Sequence, residues 1–175
     1  MIDKNKYSTL NINEACDYYT NQLGYIELQV ISPMENRIFL SPDQNSIVRI
    51  GHDLGYDIYA SSVMNGDLVL SNAVNIYDHY KVKRSGDVFY TITEMERLHE
   101  LDGQDIEKLE AWRAKVEKRL NQPTGLCDPY SLLNDFVALN TFIFKYSHEK
   151  LGHDYLQSKN IMKRGEQFII IDPFA

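Results

Sequence analysis

The chain has 175 residues, a formal net charge of -7 and a hydrophobic fraction of 43%, values that are typical of a single globular domain. A mean hydropathy of -0.39 and the lack of a long apolar run argue against a membrane partner, and the opening residues lack the apolar core of a secretory signal. The acidic balance disfavours nucleic acid as a partner, because a phosphate backbone is bound by clustered Lys and Arg. Cys16 and Cys127 lie far apart in the sequence, which indicates reduced thiols and a cytoplasmic location.

The first half of the chain is predicted to be rich in strands. Residues 5–10 are a short first strand, and Asn11 with Glu14 forms a capping box that begins a helix. Gly24 ends that helix, because glycine takes positive φ freely. Five strands are predicted to follow, at residues 25–30, 37–40, 46–51, 56–63 and 67–70. Asn65-Gly66 is predicted to form a hairpin turn before the last of them.

The second half is predicted to be rich in helices. Residues 73–82 are ambiguous between helix and strand, and residues 87–92 are predicted to form a strand. Thr93 with Glu96 is a second capping box, which predicts a helix through Leu101. Two longer helices are predicted at residues 105–120 and, after the cap Asp128-Pro129, at residues 130–151, before a final strand at residues 165–171.

These elements predict an α+β fold. A mixed or antiparallel sheet is built from the N-terminal half plus the last strand, and the helical segment of about 93–151 packs on it or is inserted into it. Residues 1–175 form a single domain in this interpretation, and the alternative is a helical insertion or subdomain over 93–163.

The sequence of the first helix resembles that of the first helix in the vicinal oxygen chelate superfamily. This superfamily includes glyoxalase I, bleomycin-resistance proteins and extradiol dioxygenases. The matching positions are Ala15, Tyr18, Tyr19, Leu23, Gly24 and Tyr25. The predicted β-α-β-β-β order of residues 5–70 is similar to one module of that fold, and residues 167–173 resemble its penultimate strand and Asp-Pro turn.

The resemblance implies a divergent member without metal or cofactor. Members that use metal carry a histidine in the first strand, where this chain has Tyr7-Ser8-Thr9-Leu10, and no last strand follows Pro173. The bleomycin-resistance branch binds without catalysis, holding a cationic drug in a groove between subunits. The implied function is therefore sequestration of a small, cationic ligand by a homodimer, and an enzyme is disfavoured although not decided. The tyrosines expected to line the ligand pocket are Tyr18, Tyr19, Tyr56 and Tyr59.

Two alternatives of other classes stay open at this point. In the first, the chain is an acidic interaction protein of the immunity, anti-defence or inhibitor type, which binds a protein partner through its helical half. The acidic residues that would contact that partner are Glu94, Glu96, Glu100 and Asp102.

In the second alternative, the chain is a metal-dependent enzyme that uses neighbouring His and Asp residues, since imidazole and carboxylate together hold divalent ions. The candidate ligands are His52, Asp53, Asp78, His79, His148, His153 and Asp154. His148 and His153 are five positions apart, whereas zinc-protease helices place two histidines at i and i+4, so the expectation is that no metal is bound. A basic cluster at Lys81, Lys83 and Arg84 is too small to indicate nucleic-acid binding.

Overall fold

The computed structural model describes residues 2–29, 36–83, 89–119, 125–145, 151–152, 154–155 and 157–174. The chain divides into two compact units, of which unit 1 comprises Met1–Met64 with Asn75–Arg97 and unit 2 comprises Asn65–Val74 with Leu98–Ala175. The predicted α+β class is confirmed, because a five-stranded antiparallel sheet, a two-stranded sheet and helices are all present. The single domain, with or without an insertion over 93–163, stays a prediction.

Unit 1 is an antiparallel sheet accompanied by short helices. Its elements in chain order are α1 (Lys4–Tyr7), α2 (Ile12–Asn21), β1 (Ile26–Leu28), β2 (Arg37–Leu40), β3 (Ser46–Gly51), α3 (Leu54–Asn65), β4 (Ile76–Lys83) and β5 (Phe89–Glu96). The strand order is β1-β2-β3-β5-β4, and every neighbouring pair is antiparallel. Helix α3 therefore connects β3 to β4 across the position of β5.

Helix α2 forms where the sequence predicts it. The Asn11 Oδ1 atom accepts a hydrogen bond from the Glu14 amide at 3.0 Å, and the Glu14 carboxylate accepts one from the Asn11 amide at 2.7 Å. Gly24 has a φ of 72° just beyond the helix, which is the left-handed conformation that glycine favours. The buried face of the helix, which includes Ala15 and Tyr19, belongs to the core of unit 1.

Several predictions in unit 1 are wrong. Residues 5–10 do not form a strand, since α1 occupies Lys4–Tyr7, and residues 56–63 lie inside α3. The aromatic and β-branched residues of that segment suggested a strand, but the Asp53 Oδ1 atom accepts from the Tyr56 amide at 3.0 Å and so caps a helix. The predicted β-α-β-β-β module is consequently absent.

The turn and cap signals after α3 were also misread. Gly66 has a φ of 76° immediately after α3, so Asn65-Gly66 ends a helix instead of turning a hairpin, and residues 67–70 are not a strand. The ambiguous residues 73–82 contain most of β4. Thr93 and Glu96 lie in β5 rather than in a helix, because Thr93 pairs with Arg49 of β3 inside the sheet.

Unit 2 contains the two long helices and a hairpin. Its elements are α4 (Gly103–Glu117), α5 (Leu133–Lys145), a 3-10 turn (Ser158–Asn160), β6 (Ile161–Arg164) and β7 (Gln167–Ile170). Helices α4 and α5 confirm that a helix lies within each of the predicted ranges 105–120 and 130–151, although α5 begins later than predicted. Residues 120 and 146–150 of these predictions lie outside the described residues, and residue 151 is not helical. The final strand pairs with β6 in a two-stranded sheet of its own, and β6 was not predicted. Among the described residues, no helix combines the length and the apolar character needed to cross a bilayer.

Candidate functional site

Hydrogen bonds at the base of the β6–β7 hairpin join the segments of unit 2 that carry three polar residues. We call Asp154, Asn160 and Asp172 the hairpin site. The Asp154 amide donates to the carbonyl of Pro173 at 2.9 Å, the Asn160 Nδ2 atom donates to the carbonyl of Asp154 at 2.9 Å, and the Ile171 amide donates to the carbonyl of Asn160 at 2.9 Å. These hydrogen bonds fix the backbone on both sides of the three side chains, so the hairpin site is held together by the local fold.

Two aromatic side chains anchor the hairpin site to α5. Tyr155, which follows Asp154, is 1% exposed and donates through its hydroxyl to Asn140 Oδ1 at 3.2 Å. Burial raises the pKa of Tyr155 to about 12. Phe174 is buried and stacks on Phe142 with ring centroids 5.5 Å apart. Because both anchors are buried, the polar residues beside them have little freedom to move.

The carboxylate of Asp154 has two partners in the loop that leads to Asn160. Lys159 Nζ lies 3.3 Å from Asp154 Oδ2, and Gln157 Nε2 donates to Asp154 Oδ1. The Asp154 side chain is 20% exposed and that of Lys159 is 63% exposed. A carboxylate whose two oxygens are each held by a partner, and which solvent still reaches, can accept a proton from a bound substrate.

The other two members of the hairpin site suit a hard divalent cation. Asn160 is buried, and its Nδ2 atom is committed to the carbonyl of Asp154, which leaves the amide oxygen as the atom it can offer to a ligand. Asp172 supplies a carboxylate two positions after β7. Carboxylate and amide oxygens are the ligands that Mg²⁺ prefers. Groups of three or more His, Cys, Asp or Glu side chains that could hold a metal are absent from the described part of the chain.

An open cavity of about 400 Å³ lies next to this loop, lined by Glu110, Arg113, Gln157, Ser158 and Lys159. Burial acts to raise the pKa of Glu110, but hydrogen bonds from Ser158 and Arg113 outweigh it and hold the pKa below its ordinary value. Glu110 is therefore charged at neutral pH. Its ion pair with Arg113 at 2.5 Å places one negative and one positive group on the wall of the cavity.

Unit 1 has a buried basic residue on its third strand. The Arg49 guanidinium lies 2.6 Å from Asp53 Oδ2 and 3.7 Å from the centroid of the Tyr56 ring. Both charged side chains are nearly buried, at 8% and 10% exposure. The pair joins β3 to the first turn of α3, because Asp53 also caps that helix.

A second buried network in unit 1 has the order of a catalytic triad but lacks its accessibility. His79 Nδ1 lies 2.8 Å from Thr93 Oγ1, and His79 Nε2 lies 3.1 Å from Asp57 Oδ1. A nucleophile must meet its substrate, whereas Thr93 is 0% exposed. The network is therefore structural, and Lys81 completes it with an ion pair to Asp57 at 2.5 Å.

Of the four tyrosines that were expected to bind a ligand, Tyr19, Tyr56 and Tyr59 are buried in unit 1, and Tyr18 is partly buried against its core. Tyr19 packs against Tyr7, Tyr18 and Tyr25, and Tyr56 and Tyr59 are almost completely buried in α3. Burial raises the pKa of Tyr19 well above its ordinary value. The structure brings Tyr18 together with Tyr19, and Tyr56 with Tyr59, while a role of these residues in ligand binding stays a prediction.

The four acidic residues proposed for a protein partner do not share a helical face. Glu94 and Glu96 lie in β5, where Glu96 accepts a hydrogen bond from the Asn75 amide at 2.7 Å. Glu100 is exposed and precedes α4, and Asp102 caps α4 by accepting from the Asp105 amide at 2.8 Å. Whether any of them contacts a partner stays a prediction.

The neighbouring His and Asp residues take part in separate structural contacts. His52 hydrogen-bonds the carbonyl of Phe89, and Asp78 accepts from the Ile2 amide at 3.0 Å. Asp53 and His79 belong to the two buried networks of unit 1 described above. His148 and His153 lie outside the described residues, as does Arg84 of the small basic cluster. Asp154 is the one candidate of this group that the hairpin site uses.

Sequence analysis missed Asn160 and Asp172, although a signal was present. His153 precedes Asn160 by seven positions, which is the His-to-Asn spacing of the kinase catalytic loop H-R-D-L-x-x-x-N, and kinases place a metal-binding Asp after a later strand. The acid differs in position, because Asp154 directly follows His153. Because Asp172-Pro173 was assigned to a chelate-superfamily turn, Asp172 was not considered together with His153 and Asn160.

Comparison with known proteins does not assign the chain to a family. The sequence matches no protein-family model and no curated protein. Among solved structures, the chain is similar to a thermostable mutant of an aminoglycoside phosphotransferase in a ternary complex with ADP and hygromycin B. The sequence identity is 12% and the TM-score is 0.45, over 91% of this chain and 72% of that one.

The predicted membership of the vicinal oxygen chelate superfamily is wrong. Helices α1 and α3 occupy positions where that module needs strands. The prediction of a non-catalytic protein that sequesters a small ligand followed from that resemblance and is wrong with it. The expectation of a homodimer has the same origin and stays a prediction.

Proposed function

We propose that the chain transfers a phosphoryl group from a nucleoside triphosphate to an acceptor hydroxyl. The observation that carries the proposal is the hairpin site, in which hydrogen bonds of 2.9 Å hold Asp154, Asn160 and the residues that flank Asp172 together. Kinases use the same three residue types, with one Asp as the base, and an Asn and a second Asp as Mg²⁺ ligands. Asp154 is the proposed base, and Asn160 and Asp172 are the proposed ligands.

Each residue has a defined task in this reaction. Asp154 accepts the proton of the acceptor hydroxyl, whose oxygen forms a bond to the γ-phosphorus while the bond to the β-phosphate oxygen breaks and the nucleoside diphosphate leaves. Asn160 and Asp172 would hold Mg²⁺, which neutralises charge on the phosphates. Lys159, 3.3 Å from Asp154 Oδ2, orients the base and adds positive charge beside it.

Unit 1, taken by itself, contains a charge pair of the kind that kinases use. Kinases place a basic residue on the third strand of an antiparallel sheet and pair it with an acid of the following helix, and here Arg49 on β3 pairs with Asp53 at the start of α3. The chain departs from the kinase pattern in using Arg for Lys and in having no G-x-G-x-x-G loop. The phosphates must therefore be covered by other residues.

The proposal is tested by titrating Mg²⁺·ATP into the purified chain by calorimetry and by measuring the slow release of phosphate to water. Asp172→Asn and Asn160→Ala should abolish the Mg²⁺ dependence of ATP binding. Asp154→Asn should leave that binding intact and lower phosphate release by about 10²–10⁴-fold, because it removes only the base.

Asp67→Asn is the matched control, since it removes the same charge at an exposed position and should change neither quantity. Absence of Mg²⁺-dependent ATP binding by the unsubstituted chain would refute the proposal.

A further inference from the structure

Residues 71–74, which we call the bridging segment, are tied to β7 by backbone hydrogen bonds. The Ile170 amide donates to the carbonyl of Asn72 at 2.7 Å, and the Val74 amide donates to the carbonyl of Ile170 at 3.0 Å. Ala73 and Ile170 form a parallel bridge. The bridging segment thus extends the two-stranded sheet at the strand that leads directly to Asp172.

A single buried carboxylate holds the bridging segment in place. Asp135, in the first turn of α5, is 3% exposed. Its Oδ1 atom accepts from the Ser71 amide at 2.8 Å, and its Oδ2 atom accepts from the Asn72 amide at 2.9 Å and from Asn72 Nδ2 at 2.8 Å. The two oxygens of Asp135 therefore accept three hydrogen bonds from residues 71 and 72.

Asn72 transmits this restraint to the hairpin. It is 2% exposed, and its Oδ1 atom accepts from Gln167 Nε2 at 2.7 Å. Its backbone and side chain therefore contact both ends of β7, while the Ile171 amide, one residue beyond β7, binds the carbonyl of Asn160 at 2.9 Å. A continuous set of hydrogen bonds runs from Asp135 to the backbone that carries Asn160 and Asp172.

We infer that Asp135 is a positioning residue for the metal-binding pair Asn160 and Asp172, acting through Asn72 and β7. This inference rests on the proposed function, because the pair is assigned there. Asp135→Asn replaces one accepting oxygen with an NH₂ group that faces a backbone or side-chain donor. The bridging segment must then shift, and β7 shifts with it.

The experiment compares binding of Mn²⁺·AMP-PNP by calorimetry with thermal unfolding of the same samples. Asp135→Asn should raise the dissociation constant about tenfold, as outer-shell partners of metal sites do. Asp128→Asn is the matched control, since Asp128 accepts from the amides of Leu132 and Leu133 at 3.1 and 2.9 Å and its carboxylate makes no hydrogen bond to residues 71–74. It should lower the unfolding temperature comparably and change the dissociation constant less than twofold.

Gln167→Ala is the second variant, in case Asp135→Asn fails to fold. Gln167 is exposed, so its replacement spares the core, and loss of its hydrogen bond to Asn72 should raise the dissociation constant about threefold. Unchanged binding by both variants, or equal weakening by Asp128→Asn, would overturn the inference and leave the proposed function standing. If the unsubstituted chain does not bind Mn²⁺·AMP-PNP, the proposed function itself fails.

Discussion

Asp57 shows how a single buried acid can stabilise unit 1. Burial acts to raise its pKa, but hydrogen bonds from His79 and Lys81 outweigh burial and hold the pKa below its ordinary value. A carboxyl whose pKa is lower in the folded chain than in the unfolded chain stabilises the fold above the unfolded pKa of about 3.9. That stabilisation is lost as the pH falls through the lower, folded pKa.

We predict that Asp57→Asn lowers the free energy of unfolding at pH 7 by about 1.5–3 kcal/mol, because it weakens hydrogen bonds to a charged group. The difference from the unsubstituted chain should shrink as the pH falls below the unfolded pKa of about 3.9 and towards the lower, folded pKa of Asp57. Urea unfolding at pH 7 and pH 3 measures both quantities. A difference of the same size at both pH values would show that the charge of Asp57 is not what stabilises the fold.

At the scale of elements, sequence prediction succeeded where a local signal fixed the structure. The Asn11–Glu14 capping box and Gly24 delimit α2, and the apolar stripe of α4 needs no distant partner to be recognised. The prediction failed at α3, where Tyr56, Tyr59 and neighbouring β-branched residues favour a strand. Burial of both tyrosines, together with the Asp53 cap, outweighs that preference.

Asp53 has two roles that substitution can separate. Asp53→Ala should cost about 3–5 kcal/mol of unfolding free energy, because it removes the carboxylate of a buried ion pair and also removes the cap. Asp53→Asn retains an oxygen for the Tyr56 amide and should cost about 1 kcal/mol less. Chemical denaturation monitored by circular dichroism gives both values, and equal losses would mean that the cap contributes nothing.

For the whole molecule, the class of fold was predictable but the distribution of strands was not. The aromatic and β-branched residues of β7 indicate a strand. Nothing in them indicates whether that strand pairs with β3 or with β6, since pairing depends on contacts distant in sequence. The hairpin site could not be predicted from the sequence for the same reason. Asp154, Asn160 and Asp172 are ordinary polar residues in the sequence, and only the hydrogen bonds around β6 and β7 bring them together.

The core of unit 2 depends on Phe136, which is completely buried and packs against Trp112 and Tyr155 with ring centroids 5.7 and 5.5 Å apart. Phe136→Ala should lower the free energy of unfolding by about 3–5 kcal/mol through lost burial and a cavity. Phe144, in the same helix but 69% exposed, provides the control, and Phe144→Ala should cost less than about 0.5 kcal/mol. A loss below about 1 kcal/mol for Phe136→Ala in urea unfolding would contradict the assigned packing.

The residues of the hairpin site and the turn of the β6–β7 hairpin lie at opposite ends of the hairpin. Asn160 and Asp172 lie at the open end, where the pairing of Ile161 with Ile170 fixes their spacing. Gly165 and Glu166 form the opposite end, and the Glu166 side chain is 99% exposed. A foreign peptide inserted between these two residues would lengthen the loop without altering the ladder. The hairpin tip is therefore a natural place to attach an epitope or a fluorescent label.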